Sequence, residues 1–98
     1  VVVRVNLKIQ GGEHMEYSEL FRQRIRFLCN QRHISVNKLA TMSGVKQSTL
    51  DNIVRGVTKD PRAFTLHKIS NAFHMPLAEF LDFEELNDYI FSDETDEL

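Results

Sequence analysis

Gln47, Ser48, Thr49 and Asn52 bring two amides and two hydroxyls together within one short stretch of this 98-residue chain. A Gln or Asn amide can bond N6 and N7 of one adenine together, and a Ser or Thr hydroxyl can bond several base edges. The plainer alternative is that Ser48 and Thr49 cap a helix and that Asn52 is merely solvated. Groups that could do covalent or metal chemistry are scattered. His14, His33, His67 and His74 lack metal-ligand spacing, which leaves surface or capping roles, and nothing near Cys29 in sequence would activate it. Neither a phosphate-cradling glycine loop nor a cofactor motif is present. The pattern argues against an enzyme, and it implies no cofactor and no metal. One cysteine excludes an intrachain disulfide. Cys29, eight residues after Phe21, reads as a buried structural thiol.

The polar cluster needs helices to hold it. Ile34 to Ile53 reads as two short helices joined by a tight turn, the unit that places a helix in the DNA major groove. Ser35 suits the N-cap of the first, and Leu39 and Ala40 begin its apolar face. Gly44 supplies the turn because it takes positive φ readily. The second helix starts near Gln47 and buries Leu50 and Ile53 together with Val45, while the small Ala40 lets the two helices approach.

Around this unit the periodicity predicts three further helices. The first spans Tyr17 to about Arg32, with Phe21, Ile25 and Leu28 on one face. Gly56 stops the third helix, and a polar loop follows to Arg62. Helix four, Ala63 to His74, buries Leu66, Ile69 and Phe73. Pro76 breaks it and opens helix five, which carries Leu77, Phe80 and Leu81 and extends toward Leu86. The predicted fold is all-α, a compact five-helix domain over 15–83.

Taken together, Arg24-Ile25-Arg26-Phe27-Leu28, Leu39-Ala40, Gly44-Val45, Thr49-Leu50, Ile53, Arg55-Gly56, Thr65 to Ile69 and Pro76 to Phe80 make the chain resemble the lambda-repressor-like helix-turn-helix family. This is the Xre or Cro group of prokaryotic and phage regulators, and the resemblance covers roughly Tyr17 to Asp82. It implies that Gln47, Ser48, Thr49 and Asn52 meet base edges. It also implies that Asn37, Lys38, Lys46, Thr58 and Lys59 meet phosphates, helped by the N-terminus of helix two. The expected role is that of a cytoplasmic transcriptional regulator, a repressor binding double-stranded DNA as a homodimer on a near-palindromic operator. Two positions depart from the family pattern. Val36 stands where Gln often bonds a phosphate and supports the recognition helix, so that contact must pass to Asn37 or the backbone. Val54 replaces a Glu that commonly pairs with an arginine at the position of Arg24, leaving Arg24 for Asp51, Glu19, solvent or phosphate.

The net charge of −2 hides a segregation. Residues 17–62 carry nine Arg and Lys against Glu19, Asp51 and Asp60, a surplus of six positive charges. Residues 63–98 carry only Lys68 against nine acids, and residues 1–16 balance. A basic stretch containing the helix-turn-helix is the electrostatic footprint expected for phosphate binding, with the acidic half facing away.

Both ends depart from the helical pattern. Val3 to Gln10 alternates apolar and polar residues like a strand, followed by Gly11-Gly12. A lone strand must pair, and the same arm of a second chain is the favoured partner. Alternatively, 1–14 is a translated leader, because Gln10 to His14 can be encoded by a purine-rich ribosome-binding sequence ahead of Met15. Residues 84–98 form an acidic extension with seven acids and no base, and Ser92 to Leu98 read as disordered. Phe83, Leu86, Tyr89, Ile90 and Phe91 either extend helix five into a dimer contact or fold back onto the core. The rival reading is an antitoxin whose acidic tail binds a basic protein, or a tail that mimics DNA over the basic face. Removal of the residues after Glu85 separates these from a plain repressor. No membrane-length apolar run or signal peptide appears, so no membrane partner is implied.

Overall fold

The computed structural model describes residues 15–91. Within them run α1 (Tyr17–Arg32), α2 (Val36–Ser43), α3 (Gln47–Val54), α4 (Ala63–Ala72), α5 (Leu77–Leu81) and α6 (Glu84–Asn87), with no strand. The all-α class is as expected. The strand arm or leader at 1–14 and the disordered tail at 92–98 lie outside the described residues.

α1 to α4 each bury the stripe their sequence marks. Phe21, Ile25 and Leu28 of α1 pack with Leu39 and Ala40 of α2, Leu50 and Ile53 of α3, and Leu66, Ile69 and Phe73 from α4 and its end. Val45 in the turn and Cys29 join this core. α1 lies against α3, and α2 against both α3 and α4, so the inner faces of the helix-turn-helix are covered and the outer face of α3 is left open. Burial raises the Cys29 thiol above its ordinary pKa, outweighing the pull of Arg26, and keeps it protonated at neutral pH. It is the structural thiol that the sequence suggests.

Two histidines end helices. His33 (φ 58°) and His74 (φ 60°) adopt the left-handed conformation just past α1 and α4. The next residue folds back in each case: Ile34 N–H reaches Cys29 O at 3.0 Å, and Met75 N–H reaches Ser70 O at 3.1 Å. These are glycine-type C-caps made by non-glycine residues, with an apolar residue sealing each.

Helix five is shorter than its pattern predicts. It stops at Leu81, the chain leaves helical geometry at Asp82 and Phe83, and a four-residue turn of helix resumes at Glu84. Arg24 supplies the reason. Its Nε donates to Phe80 O at 2.8 Å and its guanidinium Nη2 donates to Glu79 O at 2.9 Å. A continuing helix would need those carbonyls for the N–H groups of Glu84 and Phe83. Arg24 takes their place, lying over the Phe83 ring at 5.0 Å. The five-helix expectation thus becomes six, through one arginine.

The extension folds back as far as Phe91. Tyr17 meets Tyr89 at 5.2 Å and Phe91 at 5.5 Å between ring centroids, and Leu86 packs against the core. Of the two outcomes the sequence leaves open, this is the fold-back.

Candidate nucleic-acid interface

The site is α2, its turn and α3. Ser35 caps α2 as expected, its Oγ accepting the Lys38 N–H at 3.0 Å. Gly44 closes α2 at φ 75°, its N–H bonding Ala40 O at 3.0 Å. Ser43 Oγ then accepts the Val45 N–H at 3.3 Å, which steers the chain into α3. Nearly fully buried, Ala40 sits where a larger side chain would hold α2 and α3 apart.

α3 begins differently. Lys46 holds its cap position and no side chain bonds the first-turn N–H groups, so neither Ser48 nor Thr49 acts as the N-cap. Gln47 and Ser48 are exposed, while Thr49 and Asn52 are half-buried at the edge of the same face. Asn37, Lys38, Lys46 and Lys59 are exposed and Thr58 is half-buried. Asn52 also organises the loop that follows: its carbonyl accepts the N–H groups of Val57 at 2.9 Å and Thr58 at 3.1 Å. Those bonds tie Val57 and Thr58, just before Lys59, to the C-terminal part of α3. Gly56, at φ 79°, makes the reversal possible as the residue after the helix end.

Gln47 carries the densest polar contacts here. Its Nε2 donates to Asn37 Oδ1 at 2.7 Å and to Asp51 Oδ1 at 3.0 Å. The first bond joins α2 to α3, so with Val36 unable to brace α3, Asn37 does so one residue later. Asp51 is a site residue that the sequence reading missed as a partner of Gln47. The spacing carried the signal, since a Gln and an Asp four apart on a helix are neighbours able to bond.

The basic surface is narrower than the charge count suggests. Arg22 pairs with Glu19 at 2.6 Å, and Arg32 donates to Phe73 O at 2.7 Å while lying over its ring. Arg24 is committed to α5. Of the protein partners expected for Arg24, neither Asp51 nor Glu19 is the one it takes; it bonds Phe80 O and Glu79 O instead. Among the described residues the side chains of Arg26, Lys38, Lys46, Arg55, Lys59 and Arg62 make no hydrogen bond or ion pair. Also among the described residues, no three His, Cys, Asp or Glu side chains gather where a metal ion could be held. No described helix is long and apolar enough to cross a membrane.

Comparison with known proteins converges on this unit. A helix-turn-helix family model matches residues 25–80. The chain is 37% identical over 62 residues to the "HTH-type transcriptional regulator SlrR" of Bacillus subtilis strain 168, covering 63% of this chain and 41% of that protein. It is 34% identical over 58 residues to the "HTH-type transcriptional repressor RghR" of the same strain, covering 59% and 43%. The chain thus spans about two fifths of the length of these relatives. Among solved structures, that of "prophage Lp1 protein 11" superposes with a TM-score of 0.67 at 25% identity, over 76% of this chain and 97% of that one.

Proposed function

The chain belongs to the helix-turn-helix family, within its lambda-repressor-like branch, and from that membership we propose that it regulates transcription by sequence-specific binding of double-stranded DNA. The reading rests above all on the exposed outer face of α3: Gln47 and Ser48 stand at its start and Asn52 one turn on, while α1 and α2 cover its inner face. Gln47, Ser48, Thr49 and Asn52 face the base edges. Lys46, Asn37, Lys38, Thr58 and Lys59 face phosphates on either side, a reading supported by the Thr58 N–H bond to Asn52 O, which ties the loop to α3. The first-turn N–H groups of α2 not used by Ser35 add a partial positive charge aimed at the backbone.

The regulator acts as a repressor and as a homodimer on a near-palindromic operator, with two recognition helices about 34 Å apart along the groove. Ile90 and Phe91 remain exposed beside the folded-back Tyr89 and offer an apolar surface for the second copy. The test is a titration of the full chain with duplexes selected from a random pool. Affinity should fall steeply with salt as bound lysines release counterions. Gln47→Ala should flatten the base preference, and Lys46→Ala should weaken all duplexes alike. A salt-independent affinity, or two variants that behave identically, would sink the reading.

A further inference from the structure

The two bonds made by Gln47 Nε2 fix which way its amide points. An ionised carboxylate only accepts hydrogen bonds, so the Gln47 atom facing Asp51 Oδ1 at 3.0 Å must be the nitrogen. The same nitrogen faces Asn37 Oδ1 at 2.7 Å, and two acceptors use both of its N–H groups. Polarity is therefore relayed from Asp51 through Gln47 to Asn37. Gln47 Oε1 and Asn37 Nδ2 are the ends left over, an acceptor at the start of the recognition helix and a donor on α2.

We propose that Asp51 is a specificity-determining residue that holds Gln47 as an acceptor only, so that the chain reads an exocyclic amine, adenine N6 or cytosine N4, through Gln47 Oε1. The two-bond grip on adenine N6 and N7 needs an N–H that Gln47 does not have to spare. Asn37, its Oδ1 turned to Gln47, presents Nδ2 as a donor suited to a phosphate oxygen. Asp51 touches no base in this arrangement and acts through Gln47. The proposal rests on the DNA-binding reading above, and its test has an arm that does not.

Duplexes are selected from a random pool by the full chain, and the base pair whose preference disappears in Gln47→Ala marks the position read by Gln47. At that pair, replacing the adenine or cytosine by an analogue lacking the exocyclic amine should lower affinity about tenfold, while replacing the purine by its 7-deaza analogue should change it by less than about twofold. In Asp51→Ala the amide is released, and the 7-deaza duplex should then bind more weakly than the unmodified one. A wild-type chain that loses as much affinity on N7 deletion as on amine deletion overturns the proposal. So does a Gln47→Ala chain that binds DNA with every base preference intact. The second arm needs no DNA: in the isolated chain, Asp51→Ala should shift the Gln47 side-chain amide signals in a nitrogen–proton NMR spectrum. Unmoved signals overturn the proposal even if DNA binding stands, and shifted signals in a chain that binds no duplex would instead count against the DNA-binding reading alone.

Discussion

The two ends of this small domain use cationic side chains in opposite ways. On α1, half-buried Arg24 and exposed Arg32 fold back onto the protein and close the C-terminal ends of α5 and α4, donating to Phe80 O, Glu79 O and Phe73 O. On the helix-turn-helix side, Lys38, Lys46 and Lys59 stay exposed, and their side chains make no bonds among the described residues. Residue chemistry contributes to the difference. A guanidinium is planar and carries several fixed donors, which suits it to paired carbonyls and an aromatic face, whereas a lysine ammonium is a hydrated point charge on a flexible stem. Helix C-termini carry partial negative charge, so the arginines are also placed where a cation is favoured. Counting charge along the chain lumps cations bonded within the fold with those whose side chains stay exposed.

The hardest blow to the structural side is Phe80→Ala. Phe80 is fully buried where α5 meets the core, and its loss should cost about 3–5 kcal/mol in a denaturant titration. Arg24→Met comes next and separates the two uses of cations directly. It removes two charge-assisted bonds from a half-buried group and should cost about 1–2 kcal/mol, while leaving the salt dependence of DNA binding unchanged. Lys46→Ala should do the reverse, leaving stability within about 0.5 kcal/mol and lowering the logarithmic salt slope by about 1. If Arg24→Met instead flattens the salt slope, Arg24 meets phosphate and the contrast collapses.

Two turn substitutions probe the frame that both sides share. At Gly44 an added Cβ meets nothing within 4 Å, so Gly44→Ala carries only the strain of φ 75°, and melting should report about 1 kcal/mol. His33→Gly runs the other way. Relief of the left-handed backbone at φ 58° exceeds the added entropy of a glycine in the unfolded chain, for a gain of about 0.5 kcal/mol. An unchanged melting temperature would mean that the His33 side chain holds something of its own.

Much of the site was legible because its signals are local. The Ser35 cap, the Gly44 turn and the Leu50–Ile53 stripe each depend on residues a few positions apart, and the structure places all three as the sequence predicts. Within the site, the Gln47–Asp51 bond was readable from its spacing of four, and the Asn37–Gln47 bond follows once α2 and α3 are packed. Arg24 was not legible. Its partners lie 55 and 56 positions away and are backbone carbonyls, which have no residue type to recognise.

By itself, then, the sequence determined the first four helices, their inner faces, the turn geometry and the polar composition of the exposed face of α3, because periodicity and backbone preference act over one or two turns. Tertiary structure alone decided where helix five stops, which arginines bond backbone carbonyls, and which way the chain folds after it as far as Phe91. Those outcomes turn on hydrogen bonds and ring contacts between segments far apart in the chain, where only the packed core brings donor and acceptor within reach.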